Sequence, residues 1–390
     1  MPASKLAVAG ALFLVFTSLL GGFDNQPLAN GIFLPPAASA ISSALQWLAS
    51  NQSSTGSYGD YFEHWTAAAA YALWLNNSLS PKAALSYSWL AVQLNSSSSW
   101  FWGQYGEADV PGAMLRSVGA SQSLGMIDVT GVISRLLELQ EPNGGFRGYY
   151  LPNAGQYGQN VASAVDTAMA LWGLAETWTN NPSSRQTAID YLVSLQNSDG
   201  SFNLTKTTAS DPIYSQGPEP VSITALAVLA LKTASYTNDS LLAKALGFLS
   251  TATSRNFTAP DTREGHVYSA SLTALALSAF GRTGDASEAV AFILSHQNLD
   301  GGFSDSIRSS GASNALDTGW AAIALQLVQT EPVPTGPSQG NPRLNPLVIA
   351  AIVASVVVPV AVILGLAVYY RRKKERVSNP ASPIGGSVRS

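Results

Sequence analysis

One phrase recurs four times along this 390-residue chain and restricts its fold more than any other feature. Gln52-Ser-Ser-Thr-Gly56-Ser57-Tyr58, Gln140-Glu-Pro-Asn-Gly144-Gly145-Phe146, Gln196-Asn-Ser-Asp-Gly200-Ser201-Phe202 and Gln297-Asn-Leu-Asp-Gly301-Gly302-Phe303 each place an aromatic six residues after a glutamine. Weaker copies fall around Trp102 and Phe257, so the aromatics stand at 58, 102, 146, 202, 257 and 303. Periods of this length mark supersecondary units that cannot bury an apolar face alone and must stack on their neighbours.

Each unit has the same grammar. Before the phrase runs a stretch with apolar residues three and four apart, such as Ala188-Ile189-Asp-Tyr191-Leu192 or Ala289-Val290-Ala-Phe292-Ile293-Leu294, the pattern of an amphipathic outer helix. After it comes a stretch that is apolar nearly all round and rich in Ala: residues 66–75, 167–175, 222–231, 269–279 and 318–328. Helices without a polar face belong inside. The reading is an all-α chain of six helical hairpins, twelve helices in two layers. Asp/Asn-Gly-Gly and Asp-Gly-Ser supply residues that tolerate positive φ and end the outer helix. The aromatic packs beneath the turn and the Gln amide bonds loop backbone.

These phrases resemble the Gln-x-x-x-Gly-x-aromatic repeats of the α/α toroids found in protein prenyltransferase β subunits and squalene or terpene cyclases. The resemblance covers about residues 40–330. It implies a closed ring of hairpins around a central cavity. It leaves activity open, because the same toroid occurs in vitamin B12 carriers and thioester domains of complement-like proteins. It further implies that the inner helices open onto one mouth, where Glu63 with His64, Asp109, Asp166, Glu219, His266 and Asp317 stand. For the acids two readings remain: capping of first-turn N–H groups, or a cavity role. The helix dipole opposes a charged imidazole, so His64 and His266 are either cavity residues or satisfied core histidines.

The enzymes of that superfamily fit this mouth poorly. His266-Val-Tyr-Ser looks like the zinc-ligand histidine segment of prenyltransferases, but Val221 or Ala168 stands where the thiolate belongs, and the chain has no Cys. A zinc site of His266, Asp317 and Glu219 is chemically permitted, yet no cofactor is expected. The Asp-x-Asp-Asp run of squalene-hopene cyclases is missing, with Asp317 alone before Thr318. A glycan-acting toroid needs two carboxyls about 5 to 9 Å apart. Trp65, Trp74, Trp100, Trp102, Trp172 and Trp320 serve such an enzyme as stacking platforms or, more simply, pack as core.

Charge divides the chain. Residues 24–340 carry 12 basic and 23 acidic side chains, a balance that disfavours nucleic acid, whereas 371–390 carry 6 and 1. Between them Leu347 to Tyr370 is uncharged and apolar, long enough to cross a hydrocarbon core of about 30 Å. The cluster Arg371-Arg372-Lys373-Lys374 places the tail in the cytoplasm. Lys5 followed by the apolar run Leu6 to Leu20 reads as a signal sequence or an uncleaved anchor. The expected order is a signal or anchor at 1–23, the toroid at 40–330, a Pro-rich linker at 331–345, a membrane helix at 346–370 and a basic tail at 371–390. The expected role is that of a membrane-tethered extracellular receptor or adhesion module for an apolar ligand, peptide or glycan. The alternative is an isoprenoid-type or glycan-acting enzyme with an atypical acidic and histidine site.

Overall fold

The computed structural model describes residues 35–328 apart from 60–62, 104–105, 152–158, 178–180, 207–219, 256, 258–265 and 305–310. The expected signal sequence, linker, membrane helix and tail all lie outside the described residues. Among the described residues no helix is long and apolar enough to cross a membrane.

Among the described residues twelve α-helices alternate between two layers: α1 (Pro35–Asn51) and α2 (Glu63–Asn76), α3 (Pro81–Asn95) and α4 (Asp109–Ala120), then α5 (Val129–Leu137). The strands β1 (Phe146–Leu151) and β2 (Gln159–Ser163) come next, followed by α6 (Ala164–Glu176), α7 (Pro182–Val193) and α8 (Pro220–Thr233). The series ends with α9 (Asp239–Ser254), α10 (Val267–Ala279), α11 (Thr283–Ser295) and α12 (Ala315–Leu327). The even-numbered helices are the inner ones; Val221 to Leu231 of α8 is buried without interruption. Each inner helix packs on the next, α2 on α4 and so on to α12, which packs back on α2. The inner layer is therefore a closed ring.

The strand pair departs from the all-α expectation. β1 and β2 pair antiparallel with an irregularity between Arg147 and Tyr149. The Arg147 carbonyl accepts from the Ala108 N–H at 3.1 Å, which ties this ribbon to the start of α4.

The repeated phrase works as a clasp between hairpins. The Gln amide bonds its own turn carbonyl, as expected, and also reaches the first turn of the next outer helix. Gln52 donates to the Lys82 carbonyl at 2.8 Å, Gln140 to Ser184 at 2.9 Å and Gln196 to Leu241 at 3.0 Å. Gln297 donates to the Ala40 carbonyl at 2.8 Å, joining the last turn to the first helix. Trp47 adds to this seam by donating its indole N–H to Asp300 at 3.0 Å. The turn glycines have φ between 87° and 99° and press on the same neighbours; a Cβ on Gly144 would stand 2.2 Å from the Thr187 carbonyl oxygen. That spacing leaves room only for glycine.

The aromatic of each phrase ties the turn inward. Tyr58, Phe146, Phe202 and Phe303 are buried, and their backbone N–H groups donate to Thr66, Thr167, Thr224 and Thr318 at 2.8 to 3.0 Å. These threonines sit near the start of inner helices, so one residue links turn, outer helix and inner ring. The weaker copies differ. Phe101 rather than Trp102 is the fully enclosed ring, and Phe257 enters its site with φ of 61°.

Candidate functional site

The closest inner pair is α4 and α6, and glycine is the reason. A Cβ on Gly112 would lie 2.5 Å from the Met169 carbonyl carbon, and one on Gly173 would lie 2.6 Å from the Gly112 carbonyl oxygen. Backbones this close bring the first turns of the two helices together. Asp166 accepts from the Asp109 N–H at 3.1 Å through Oδ1. Its other oxygen accepts from the Ser163 hydroxyl, whose own oxygen takes the Asp166 N–H at 3.1 Å, a reciprocal helix cap. Gly148, at the strand irregularity, lets the carboxylate lie against the ribbon; a Cβ there would fall 2.0 Å from Asp166 Oδ1.

Two further carboxylates join this pair. Glu63, in the first turn of α2, is buried and accepts from the exposed Trp100 indole at 3.0 Å, and its Oε2 is buried without a partner. Glu107 stands just before α4. Burial raises Asp109 to about 6, and burial also holds Asp166 well above the usual carboxylate range, with the Asp109 charge adding to it. Glu107 rises to about 7 through burial first, then through Asp109 and Glu63. At this side of the mouth burial pushes all four carboxyls toward their protonated forms.

The rest of the expected mouth is arranged differently. Asp317 is a second capping residue: its N–H donates to the Asn314 amide oxygen at 2.9 Å, and the Asn314 NH₂ donates back to the carboxylate. The buried His266 is the N-cap residue of α10 and makes no side-chain capping bond. His64 meets Trp65 edge to face with centroids 6.4 Å apart. Glu219 lies outside the described residues, so the set His266, Asp317 and Glu219 is not assembled for view. Among the described residues no three His, Asp or Glu side chains form a metal-ligand group.

The ring axis holds a residue that sequence reasoning missed. Arg116 of α4 is buried, with its guanidinium carbon 4.5 Å from the Tyr71 ring centroid, 4.6 Å from Trp172 and 4.7 Å from Trp320. These rings come from α2, α6 and α12. In the ring order α6 and α12 face each other across the centre, yet Trp172 and Trp320 approach to 6.0 Å. Tyr268 of α10 meets Trp320 at 6.2 Å. At this level aromatic side chains from four inner helices gather around one cation. Arg116 lies seven residues after Asp109, about 10 Å of helix rise. Burial pulls the guanidinium below its usual pKa, while Tyr71 and Glu176 act in the opposite direction. The available signal was slight: among the described inner helices Arg116 is the one arginine, with Lys232 the only other cation.

Comparison with known proteins follows the fold. The sequence pattern of the A-macroglobulin TED domain matches residues 161–304. No curated protein matches the chain in sequence. Among solved structures, the apo type II terpene cyclase MstE from Scytonema superposes with a TM-score of 0.54 at 12% identity, covering 75% of this chain and 98% of that one. An α-amylase from Clostridium perfringens gives 0.54 at 10% identity, over 74% and 97%. Protein geranylgeranyltransferase-I of Candida albicans, complexed with GGPP, gives 0.50 at 16% identity, over 73% and 90%. At such identities the likeness is one of fold alone. A closed inner ring, clasped hairpins and these neighbours together make the chain an α/α toroid, the fold it shares with the terpene cyclase and the prenyltransferase.

Proposed function

We propose that this toroid is a binding module that takes an apolar or aromatic ligand along the ring axis, beneath the acidic mouth. The observation that carries the reading is the axial lining: Tyr71, Trp172, Tyr268 and Trp320 converge from four inner helices, where a packed ring needs only Ala and Leu. Aromatic rings give large contact area with little entropy to lose. The same proposal includes export and tethering through Leu347 to Tyr370, with the toroid outside the cell and the basic tail inside, as an adhesion or receptor protein requires. Native mass spectrometry of the purified full chain is the test. A co-purifying apolar molecule is the expected result; a chain that repeatedly carries none sinks the reading.

A second reading rests on Asp109. A buried carboxyl held to about 6 is suited to donate a proton near neutral pH. A toroid acting as an acid catalyst on an isoprenoid or glycan would use it so, as its fold neighbours include a terpene cyclase and an α-amylase. Turnover of such a substrate, lost in Asp109→Asn with binding retained, would favour this reading.

A further inference from the structure

We infer that Arg116 is an anion-binding centre that holds the carboxylate head of the ligand, whose apolar body lies against Tyr71, Trp172, Tyr268 and Trp320. The inference rests on the binding reading and names its ligand class: an amphipathic monocarboxylate.

Arg116 is a buried cation that no described side chain pairs with directly. A guanidinium taken out of water needs an anion or a full set of acceptors. Arg116 keeps only 4% of its surface exposed, its Nε is buried without an acceptor, and no hydrogen bond or ion pair joins it to a described residue. Glu176 is close enough to act on it electrostatically, but no hydrogen bond or ion pair joins the two, and Glu176 Oε1 instead accepts from the Trp172 indole at 3.2 Å. Three ring faces at 4.5 to 4.7 Å offset part of the cost.

Geometry then selects the missing partner. Two rings can cover the faces of a guanidinium and the third meets part of its edge, while the N–H donors left over point outward in the plane of the fork. That edge matches two carboxylate oxygens. Space remains beside it: Tyr71, Ala113, Arg116, Met169, Trp172 and Tyr268 keep between 4 and 9% of their surface accessible to water. Helical neighbours turned toward the outer layer, such as Ala70, Ala170 and Leu171, keep none. The axis is thus an aromatic lining with one cation whose donors are unanswered, the complement of an acid on an apolar stem.

Isothermal titration of the full chain in lipid nanodiscs with 4-phenylbutyrate, and with the neutral 4-phenylbutanol as its twin, tests this. The carboxylate is expected to bind and the alcohol to bind roughly a hundredfold more weakly. Arg116→Met should remove the difference, and Arg116→Lys should keep part of it. Equal binding of acid and alcohol overturns the assignment, as does undiminished carboxylate binding by a folded Arg116→Met variant. The acid and alcohol comparison on the unaltered chain stands even where the variants fail to fold. A chain that rejects the carboxylate but carries a neutral apolar molecule in native mass spectra keeps the binding reading and loses the anion centre.

Discussion

The turn clasps and the ring axis solve opposite problems with the same helices. In a clasp the N–H donors of the glutamine amide and of the aromatic residue are answered and the solution is repeated. Gln140 bonds both its own turn and the next helix, Phe146 donates to Thr167, and the same contacts recur at residues 196 to 202 and 297 to 303. On the axis nothing repeats. Arg116, Tyr71, Trp172 and Trp320 occupy four helices once each, and the acids Glu63, Glu107, Asp109 and Asp166 crowd one side of the mouth. Repetition marks what holds the ring, and departure from it marks where a ligand or reaction belongs.

The strongest way to break the comparison is to remove a clasp ring. Phe202→Ala empties a buried site and is expected to lower stability by about 3 to 5 kcal/mol, measured by urea unfolding. A loss below about 1 kcal/mol would mean that the clasps do not hold the ring.

The acidic mouth is predicted to act against stability at neutral pH. A carboxyl whose folded pKa is raised binds its proton more tightly in the native state than in the unfolded one. The folded chain is thus favoured below the ordinary carboxylate range, and that advantage is lost as pH rises through about 6 for Asp109 and about 7 for Glu107. Asp109→Asn should therefore raise stability at pH 7.5 by roughly 1 to 2 kcal/mol and change little at pH 4. Thermal melts across that range would show it, and an unaltered pH slope would refute the raised pKa.

Smaller effects sharpen the contrast. Thr167→Val removes the acceptor of the Phe146 N–H and should lower stability by about 1 to 2 kcal/mol; no loss would show that this inward tie is idle. At the seam, Trp47→Phe deletes the bond to Asp300 together with part of the indole's packing on the last turn. It should lower stability by about 1 kcal/mol, and no loss in calorimetry would show that this seam contact is idle.

Much of the fold was legible in the sequence because the clasp is local. Gln, Gly and aromatic lie within seven residues, and their spacing announces a unit wherever it appears. The strand pair was less legible, since Phe146–Leu151 and Gln159–Ser163 are short and their pairing hangs on the backbone contact of Ala108 with Arg147. Asp109 and Asp166 were found as first-turn acids, but their meeting depends on Gly112 and Gly173, residues that a reading of charged groups passes over. Glu107 was missed because it precedes its helix, and Arg116 because its partners are set beside it only by closure of the ring. No spacing in the chain links residues 71, 116, 172 and 320.

The bond from Gln297 to the Ala40 carbonyl has a bearing on how the molecule is made. Synthesis delivers the first helix long before the last turn, so α1 must wait with one flank bare while more than 250 residues follow. During that interval the partial arc is a sticky, unsealed intermediate, and a truncation anywhere before residue 327 leaves it so. Proteolysis timed against ribosome progress should therefore find α1 resistant only once α12 has emerged, although it leaves the ribosome before every other described helix.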